Sequence, residues 1–199
     1  MHASLTDAIA ASDAAHAARL ACDDVGALDA LYRRHRAAVY RFALLWSGQP
    51  AVAADVTQDV FLHLLTHADG FDPGRGALLP WLLGIARNFV RRRTGAQHDT
   101  DPLPDDLEAP SGLDAPEASS ILRQDLEALR RAIAALPPHY RDVVVLVELA
   151  ERSYAEAAVI CGCELNTVRS RLFRGRALLA RWLDLASGDG DAVARKAIR

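Results

Sequence analysis

SYAEAAVICGCELNTVRSRLFRGR, residues 153–176, predicts two short helices joined by a turn at Gly162. Ser153 is a good N-cap residue, and Glu156 three positions later completes a capping box at the start of the first helix. Between Leu165 and Leu183 the chain contains arginines and no acidic residue. Because a turn-linked helix pair with a basic second helix suits the major groove of DNA, this stretch predicts a helix-turn-helix.

The second predicted helix separates an apolar stripe from a polar, basic face. The stripe recurs at spacings of three and four residues and consists of Leu165, Val168, Leu172, Gly175 and Leu179. The other face carries Asn166, Arg169, Ser170, Phe173 and Arg174. Arginine can bind guanine and asparagine can bind adenine, so this face favours DNA contact over a merely solvated surface. Gly175 indicates either close approach of another helix or an accident of sequence.

The composition is typical of a helical protein of one or two domains. The chain has 199 residues, of which 51% are hydrophobic and only 6% aromatic, and its net charge of −3 excludes a uniformly basic surface. An odd set of three cysteines, Cys22, Cys161 and Cys163, indicates a reducing compartment. No secretory signal and no apolar run of roughly 18 residues is present, so we expect a cytoplasmic protein without membrane insertion.

The apolar periodicity predicts an all-α fold with two small helical domains joined by an acidic, proline-rich linker, the second domain being the helix-turn-helix. The expected segments are a lead-in over 1–18, a first domain over 19–93, a linker over 94–118, a second domain over 119–185 and a loose tail over 186–199. Helices are expected from about 19 to 47, 51–68 and 78–93, then 119–135, 138–150, 153–160 and 165–185. The linker has four prolines, seven acidic residues and neither lysine nor arginine.

Two separate blocks of the sequence carry motifs of one known family. The second block runs from Leu136 to Leu179 and includes Leu136-Pro137, Tyr140-Arg141, Ser153-Tyr154, Glu156, Gly162 and Thr167 through Leu172. The first block includes Leu31-Tyr32, Asp55, Gln58 through Phe61, Trp81-Leu82 and Ile85 through Asn88. In these motifs the chain resembles the extracytoplasmic-function (ECF) sigma factors of bacterial RNA polymerase, within the sigma-70 family. Together the two blocks cover about four fifths of the chain, in the family's order and with a linker between them.

The resemblance implies a protein that binds the polymerase core and directs promoter-specific initiation. It implies binding of the promoter −35 element by Asn166, Thr167, Arg169, Ser170, Arg171, Phe173, Arg174 and Arg176. It implies opening and binding of the −10 element by Arg75, Trp81, Arg87, Asn88, Arg91, Arg92 and Arg93. It implies that Asp55, Gln58, Asp59, Phe61 and Leu62 meet the coiled-coil clamp of the polymerase. An anti-sigma factor that masks the polymerase-binding surface is also implied.

The chain departs from the family at Ala77-Leu78-Leu79-Pro80, where a Ser-Phe-Arg-like run is usual. Trp81 has two interpretations, a stacking partner for an unpaired base or, more simply, an anchor of its helix in the core. The linker is interpreted either as a tether or, as the family implies, as a segment that threads the RNA channel of the polymerase.

Other classes of protein have weaker support in the sequence. The Cys161-x-Cys163 spacing does not suit a zinc knuckle, and His63 and His67 lack a third ligand, so we expect no metal and no other cofactor. No nucleophile and base pattern indicates an enzyme. The remaining alternatives are a stand-alone helix-turn-helix regulator, and a sigma-like adaptor that binds polymerase or a regulator without binding DNA.

Overall fold

A computed structural model describes residues 2–22, 24–96 and 121–186, and within these ranges the chain is helical and has no strand. The helices are α1 (His2–Ala21), α2 (Gly26–Ser47), α3 (Pro50–Thr66), α4 (Leu78–Arg93), α5 (Ile121–Ala135), α6 (Pro138–Val144), α7 (Tyr154–Cys161) and α8 (Leu165–Ala186). Short 3₁₀ turns at Ala68–Gly70 and Pro73–Arg75 precede α4, and a π-turn at Val145–Leu149 follows α6. The predicted all-α class is confirmed, while residues 97–118 of the predicted linker and 187–199 of the tail lie outside the described residues.

The helix ends follow the local chemistry of the sequence. α2 stops at Gly48, which adopts a left-handed conformation with φ 68° and donates its N–H to the Leu44 carbonyl. α3 then begins with Pro50 at its first turn, where a missing N–H leaves no intrahelical bond unmade. At α7 the predicted capping box is present, because Ser153 Oγ accepts from the Glu156 N–H while the Glu156 carboxylate accepts from the Ser153 N–H.

The N-terminal segment that was expected as a lead-in forms α1 and packs against α2. Ala17 and Leu20 of α1 are buried there. Asp13 is also buried, and its carboxylate lies 2.8 Å from His35 Nε2 and accepts a bond from Arg34. These bonds hold α1 against α2, because a buried carboxylate needs partners that donate to it.

α6 and α8 pack so closely that a side chain does not fit at Gly175. A Cβ atom placed there would lie 2.8 Å from Val144 Cγ2 and 3.4 Å from Tyr140 Cβ. Of the two explanations for this glycine, close approach of another helix is the correct one. Three other residues of the predicted apolar stripe on α8 are buried as well: Val168, Leu172 and Leu179.

The first half of the described chain, α1 to α4, and the second half, α5 to α8, share one continuous hydrophobic core. α4 of the first half packs along α7 of the second, and α2 contacts α5 and the π-turn at Val145–Leu149. The backbone approach is close, since a Cβ at Gly84 of α4 would lie 3.8 Å from the Ile160 carbonyl oxygen of α7. The second half therefore covers one side of α4, which decides how the basic residues of that helix are placed.

Candidate nucleic-acid interface

The outer face of α8 presents the predicted DNA-binding residues to solvent. Asn166, Arg169, Ser170, Phe173 and Arg174 are all exposed, and the Phe173 side chain is 75% exposed although its ring is apolar. The Arg169 guanidinium donates from Nη1 to Asn166 Oδ1 at 3.2 Å, one turn earlier. Such a face can offer hydrogen-bond donors and an apolar ring to base edges at the same time.

Local geometry fixes the direction in which this face points. Gly162 takes a left-handed conformation (φ 64°, ψ 40°), which ends α7 and lets the chain turn into α8. The Cys163 N–H returns to the Ala158 carbonyl at 3.0 Å and closes the turn. Capping box, glycine turn and basic second helix thus occur together as the sequence predicts.

The flanking arginines of α8 are placed differently from one another. Arg176 donates from Nε to Glu148 Oε1 at 2.9 Å, so its guanidinium is paired with a carboxylate of the segment Val145–Leu149. Arg171 is only partly exposed, as is Thr167. These three residues lie beside the exposed face instead of at its centre.

In α4, two of the predicted −10 arginines face into the protein. The Asp142 carboxylate of α6 accepts from Arg87 Nε at 2.5 Å and lies 3.4 Å from Arg91 Nη1. The Arg87 and Arg91 side chains are only 15% and 11% exposed, and that of Asp142 is 1% exposed. In this arrangement neither arginine is accessible to DNA.

A tryptophan from α2 completes the surroundings of this carboxylate. Trp46 is fully buried and donates its indole N–H to Asp142 Oδ1 at 2.8 Å. The Arg141 guanidinium lies 4.3 Å from the Trp46 ring centroid and donates to the Leu136 carbonyl at 2.9 Å. Burial lowers the pKa of Arg141 to about 10, which leaves it charged at neutral pH. Sequence patterns missed Trp46 and Asp142, although an aspartate beside the run Val143–Val147 is a signal of a buried partner.

The end of α4 is joined to the predicted polymerase-binding helix by ion pairs. Arg93 donates to Asp59 Oδ2 from Nη2 at 2.6 Å and to Asp55 Oδ2 from Nη1 at 3.0 Å, and the bond to Asp59 raises the pKa of Arg93. On the same helix, α3, Gln58 and Leu62 are exposed. Phe61 is buried, packs its ring on that of Tyr32 at 4.8 Å, and lines the same groove as Gln58 and Leu62.

A cluster of rings lies where α3, α4 and the preceding turns meet. The Trp81 ring is 5.7 Å from Phe71 and 6.2 Å from His63, whose imidazole stacks on that of His67 at 4.4 Å. Burial, and secondarily the charge of His67, lowers the pKa of His63. Trp81 is partly exposed and packed on the core, which is compatible with both of its interpretations. The remaining predicted −10 residues, Arg75, Asn88 and Arg92, are exposed.

Cys161 and Cys163 pack in or against the hydrophobic core. Cys161 is buried, and burial raises the pKa of its thiol to about 12. Cys163 is partly buried against the core and Cys22 is exposed. Over the described ranges no group of three or more His, Cys, Asp or Glu side chains is placed to hold a metal ion, and no helix there is long and apolar enough to cross a membrane.

Comparison with known families and proteins agrees with both halves of this structure. The family model for Sigma-70 region 2 matches residues 31–98, and the model for Sigma-70 region 4 matches residues 126–179. The ECF RNA polymerase sigma factor SigE of Mycolicibacterium smegmatis is 36% identical over 163 residues, a match that covers 78% of this chain and 61% of that protein. The ECF RNA polymerase sigma factor EcfG of Rhodopseudomonas palustris is 33% identical over 147 residues, 71% of this chain and 77% of that one.

Two solved structures have a similar arrangement of helices. One is CnrH in complex with the cytosolic domain of CnrY, with a TM-score of 0.65 and 26% identity over 87% of this chain and 98% of that one. The other is the sigma factor RpoE with the anti-sigma factor NepR from Bartonella quintana, with a TM-score of 0.52 and 27% identity over 75% and 92% of the chains. The chain belongs to the ECF sigma factors of the sigma-70 family.

Proposed function

We propose that this protein directs RNA polymerase core to a small set of promoters by binding the −35 duplex and by opening and holding the −10 element. The exposed, acid-free face of α8 is the observation that carries this proposal, because it is oriented by a capped helix-turn-helix. The region 2 match over 31–98 adds a half that a stand-alone regulator does not need. We infer a binding function and no catalysis.

The −35 contact is assigned to the exposed face of α8. Arg169 and Arg174 bind base edges or phosphates, Asn166 and Ser170 add hydrogen bonds, and the Phe173 ring contacts a thymine methyl group. We assign the DNA phosphates beside the contacted bases to Arg171, Arg176 and Thr167. For Arg176 this requires the guanidinium to exchange Glu148 for DNA.

The polymerase contact is assigned to the exposed side of α2 and α3. An apolar groove of about 480 Å³ lies there, lined by residues that include Tyr32, Tyr40, Gln58, Leu62 and Leu65. Asp55 and Asp59 lie on α3 as well, where both pair with Arg93 of α4. An apolar groove suits a helical partner that presents apolar residues, as we expect of the polymerase clamp.

An anti-sigma factor is proposed as a competitor for the same groove. RpoE of Bartonella quintana is a sigma factor solved with the anti-sigma factor NepR, and it shares this helical fold. We further propose that the protein acts in the cytoplasm, because polymerase and promoter DNA are its proposed partners.

Run-off transcription with purified core enzyme on genomic fragments tests the function. We expect discrete transcripts that appear only when this protein is added. Leu62→Ala is expected to weaken core binding in a pull-down by several-fold, whereas Arg169→Ala keeps core binding and loses the transcripts. Tight binding to core without any promoter-specific transcript would leave the adaptor alternative as the better description.

A further inference from the structure

The buried carboxylate of Asp142 connects the two halves of the molecule in an unusual way. It belongs to α6 of the second half, yet its hydrogen-bond donors, Trp46, Arg87 and Arg91, all belong to the first. Burying a carboxylate is costly unless donors surround it, and here an indole N–H and two guanidinium groups do so. The first half therefore contains a formed anion site, and Asp142 occupies it.

We propose that this anion site is the binding site for a backbone phosphate of the −10 strand, and that Asp142 occupies it when no DNA is bound. Guanidinium and indole N–H groups donate hydrogen bonds to a phosphate oxygen in the same way that they donate to a carboxylate oxygen. The inference rests on the proposed function and on the family resemblance, which implies that Arg87 and Arg91 bind the −10 element.

Occupation by Asp142 and occupation by DNA exclude each other. The arginine side chains are almost covered, by α7, which packs on α4, and by Asp142 of α6, which is bonded to Trp46 and Arg87. A phosphate can reach Arg87 only after α6 moves away and takes Asp142 with it. Arg141 moves with the same helix, so its contact with the Trp46 ring is lost in that step.

The consequence is a closed chain that binds single-stranded DNA weakly while its α8 face stays exposed. Separation of the two halves frees the anion site, and DNA phosphate then prevents closure. The carboxylate thus sets the fraction of molecules in which the −10 surface is available.

Asp142→Asn tests the proposal, because the amide keeps the shape of the side chain and removes its charge. The probe is a fluorescein-labelled, mixed-sequence single-stranded DNA of about 20 nucleotides. We expect the affinity of the variant to rise by about tenfold or more, since two buried guanidinium groups lose their counter-charge in the closed form. We also expect a larger radius of gyration by small-angle X-ray scattering. Asp29→Asn is the matched control, because Asp29 pairs with Arg33 on an exposed surface of α2 and leaves the interface intact.

The double variant Arg87→Gln with Asp142→Asn distinguishes release of this site from a general gain in charge. The double variant should lose most of the affinity for single-stranded DNA that Asp142→Asn gains. The slope of log K against log salt concentration should also be smaller in magnitude, by about 0.7, than the slope for Asp142→Asn. An equal salt dependence in the two variants would overturn the proposal. So would a folded Asp142→Asn protein with unchanged compactness and unchanged affinity.

A measurement on the wild-type chain does not depend on how the variants fold. Saturating single-stranded DNA should expand the wild-type protein in the scattering experiment, and a chain that stays compact when saturated contradicts the proposal. Run-off transcription by the wild-type protein with polymerase core distinguishes failure of the anion site from failure of the proposed function. If transcripts form but Asp142→Asn changes neither DNA affinity nor compactness, only the anion site is refuted. If no promoter-specific transcripts form, the proposed function is refuted.

Discussion

α4 and α8 are both arginine-rich helices, but the structure uses their charges differently. In α8, Arg169 and Arg174 are exposed on a face that no other part of the described chain covers. In α4, Arg87 and Arg91 point to a buried carboxylate and Arg93 is held by two acids of α3. A basic helix therefore indicates affinity for DNA only where its guanidinium groups are not already paired within the protein.

The largest effect is expected from removing the exposed charges of α8. Arg169→Ala combined with Arg174→Ala should weaken promoter duplex binding by about 3 kcal/mol, roughly a hundredfold, because each arginine that binds a base edge contributes about 1–3 kcal/mol. The measurement is fluorescence anisotropy with a duplex taken from a promoter that the run-off assay identifies.

Arg33→Ala is the matched control for that experiment. Arg33 is also exposed, but it lies on α2 and pairs with Asp29. It should leave duplex affinity unchanged. If Arg33→Ala and the α8 double variant weaken binding equally, the exposed face of α8 has no special role.

Gly175→Ala is expected to destabilise the half that carries α8. The new Cβ would lie 2.8 Å from Val144 Cγ2, and such overpacking costs about 1–3 kcal/mol, more than the ~1 kcal/mol that alanine adds as a helix former. Urea unfolding followed by circular dichroism measures the difference. In a Val144→Ala background the clash is removed, and there the same substitution should be neutral or stabilising.

Sequence alone predicted the features that local chemistry determines. The capping box at Ser153, the turn at Gly162 and the exposed face of α8 follow from residues a few positions apart, and helix periodicity located α3 to α8 closely. It predicted a single helix from about 19 to 47, whereas α1 ends at Ala21 and α2 begins at Gly26. The pairing of Arg87 with Asp142 joins residues 55 positions apart. It depends on how two halves pack, which no local spacing encodes, so the sequence assigned Arg87 to DNA without showing that it is covered.

Arg92 and Arg93 are adjacent at the end of α4, but their charges have different surroundings. Arg92 is exposed and lies 6.0 Å from the Phe89 ring centroid, whereas the charge of Arg93 is met by Asp55 and Asp59. Arg92→Ala should lower affinity for single-stranded DNA a few-fold and reduce the salt slope by about 0.7, and Arg93→Ala should do less. A salt titration of anisotropy measures both. The reverse order would mean that Arg93 exchanges its carboxylates for phosphate.

The smallest effect is expected from pH, and it concerns the half that contains α1. Burial lowers the pKa of His35 from its ordinary 6.5, although Asp13 opposes the shift and Arg34 adds to it. Below pH 6.5 the unfolded chain therefore binds a proton that the folded chain binds only at lower pH. The free energy of unfolding should be steady above this range and fall as pH drops through it, by less than about 1.4 kcal/mol per pH unit.

Denaturant unfolding between pH 5 and pH 8 measures this dependence. His35→Gln should make it shallower, with a remainder from His63, whose pKa is also lowered by burial. A variant as pH-dependent as the wild type would show that His35 titrates in the folded chain as it does in the unfolded one.

The indole of Trp46 gives the protein an optical property that follows directly from its position. Its ring is fully buried beneath the Arg141 guanidinium and its N–H is bonded to a carboxylate. Emission from this fluorophore should shift to longer wavelength when water reaches it, and a background with both Trp81→Phe and Trp182→Phe leaves Trp46 as the one tryptophan of the three in the sequence. Stopped-flow mixing with polymerase core would then record, in real time and without a label, the moment at which the two halves part.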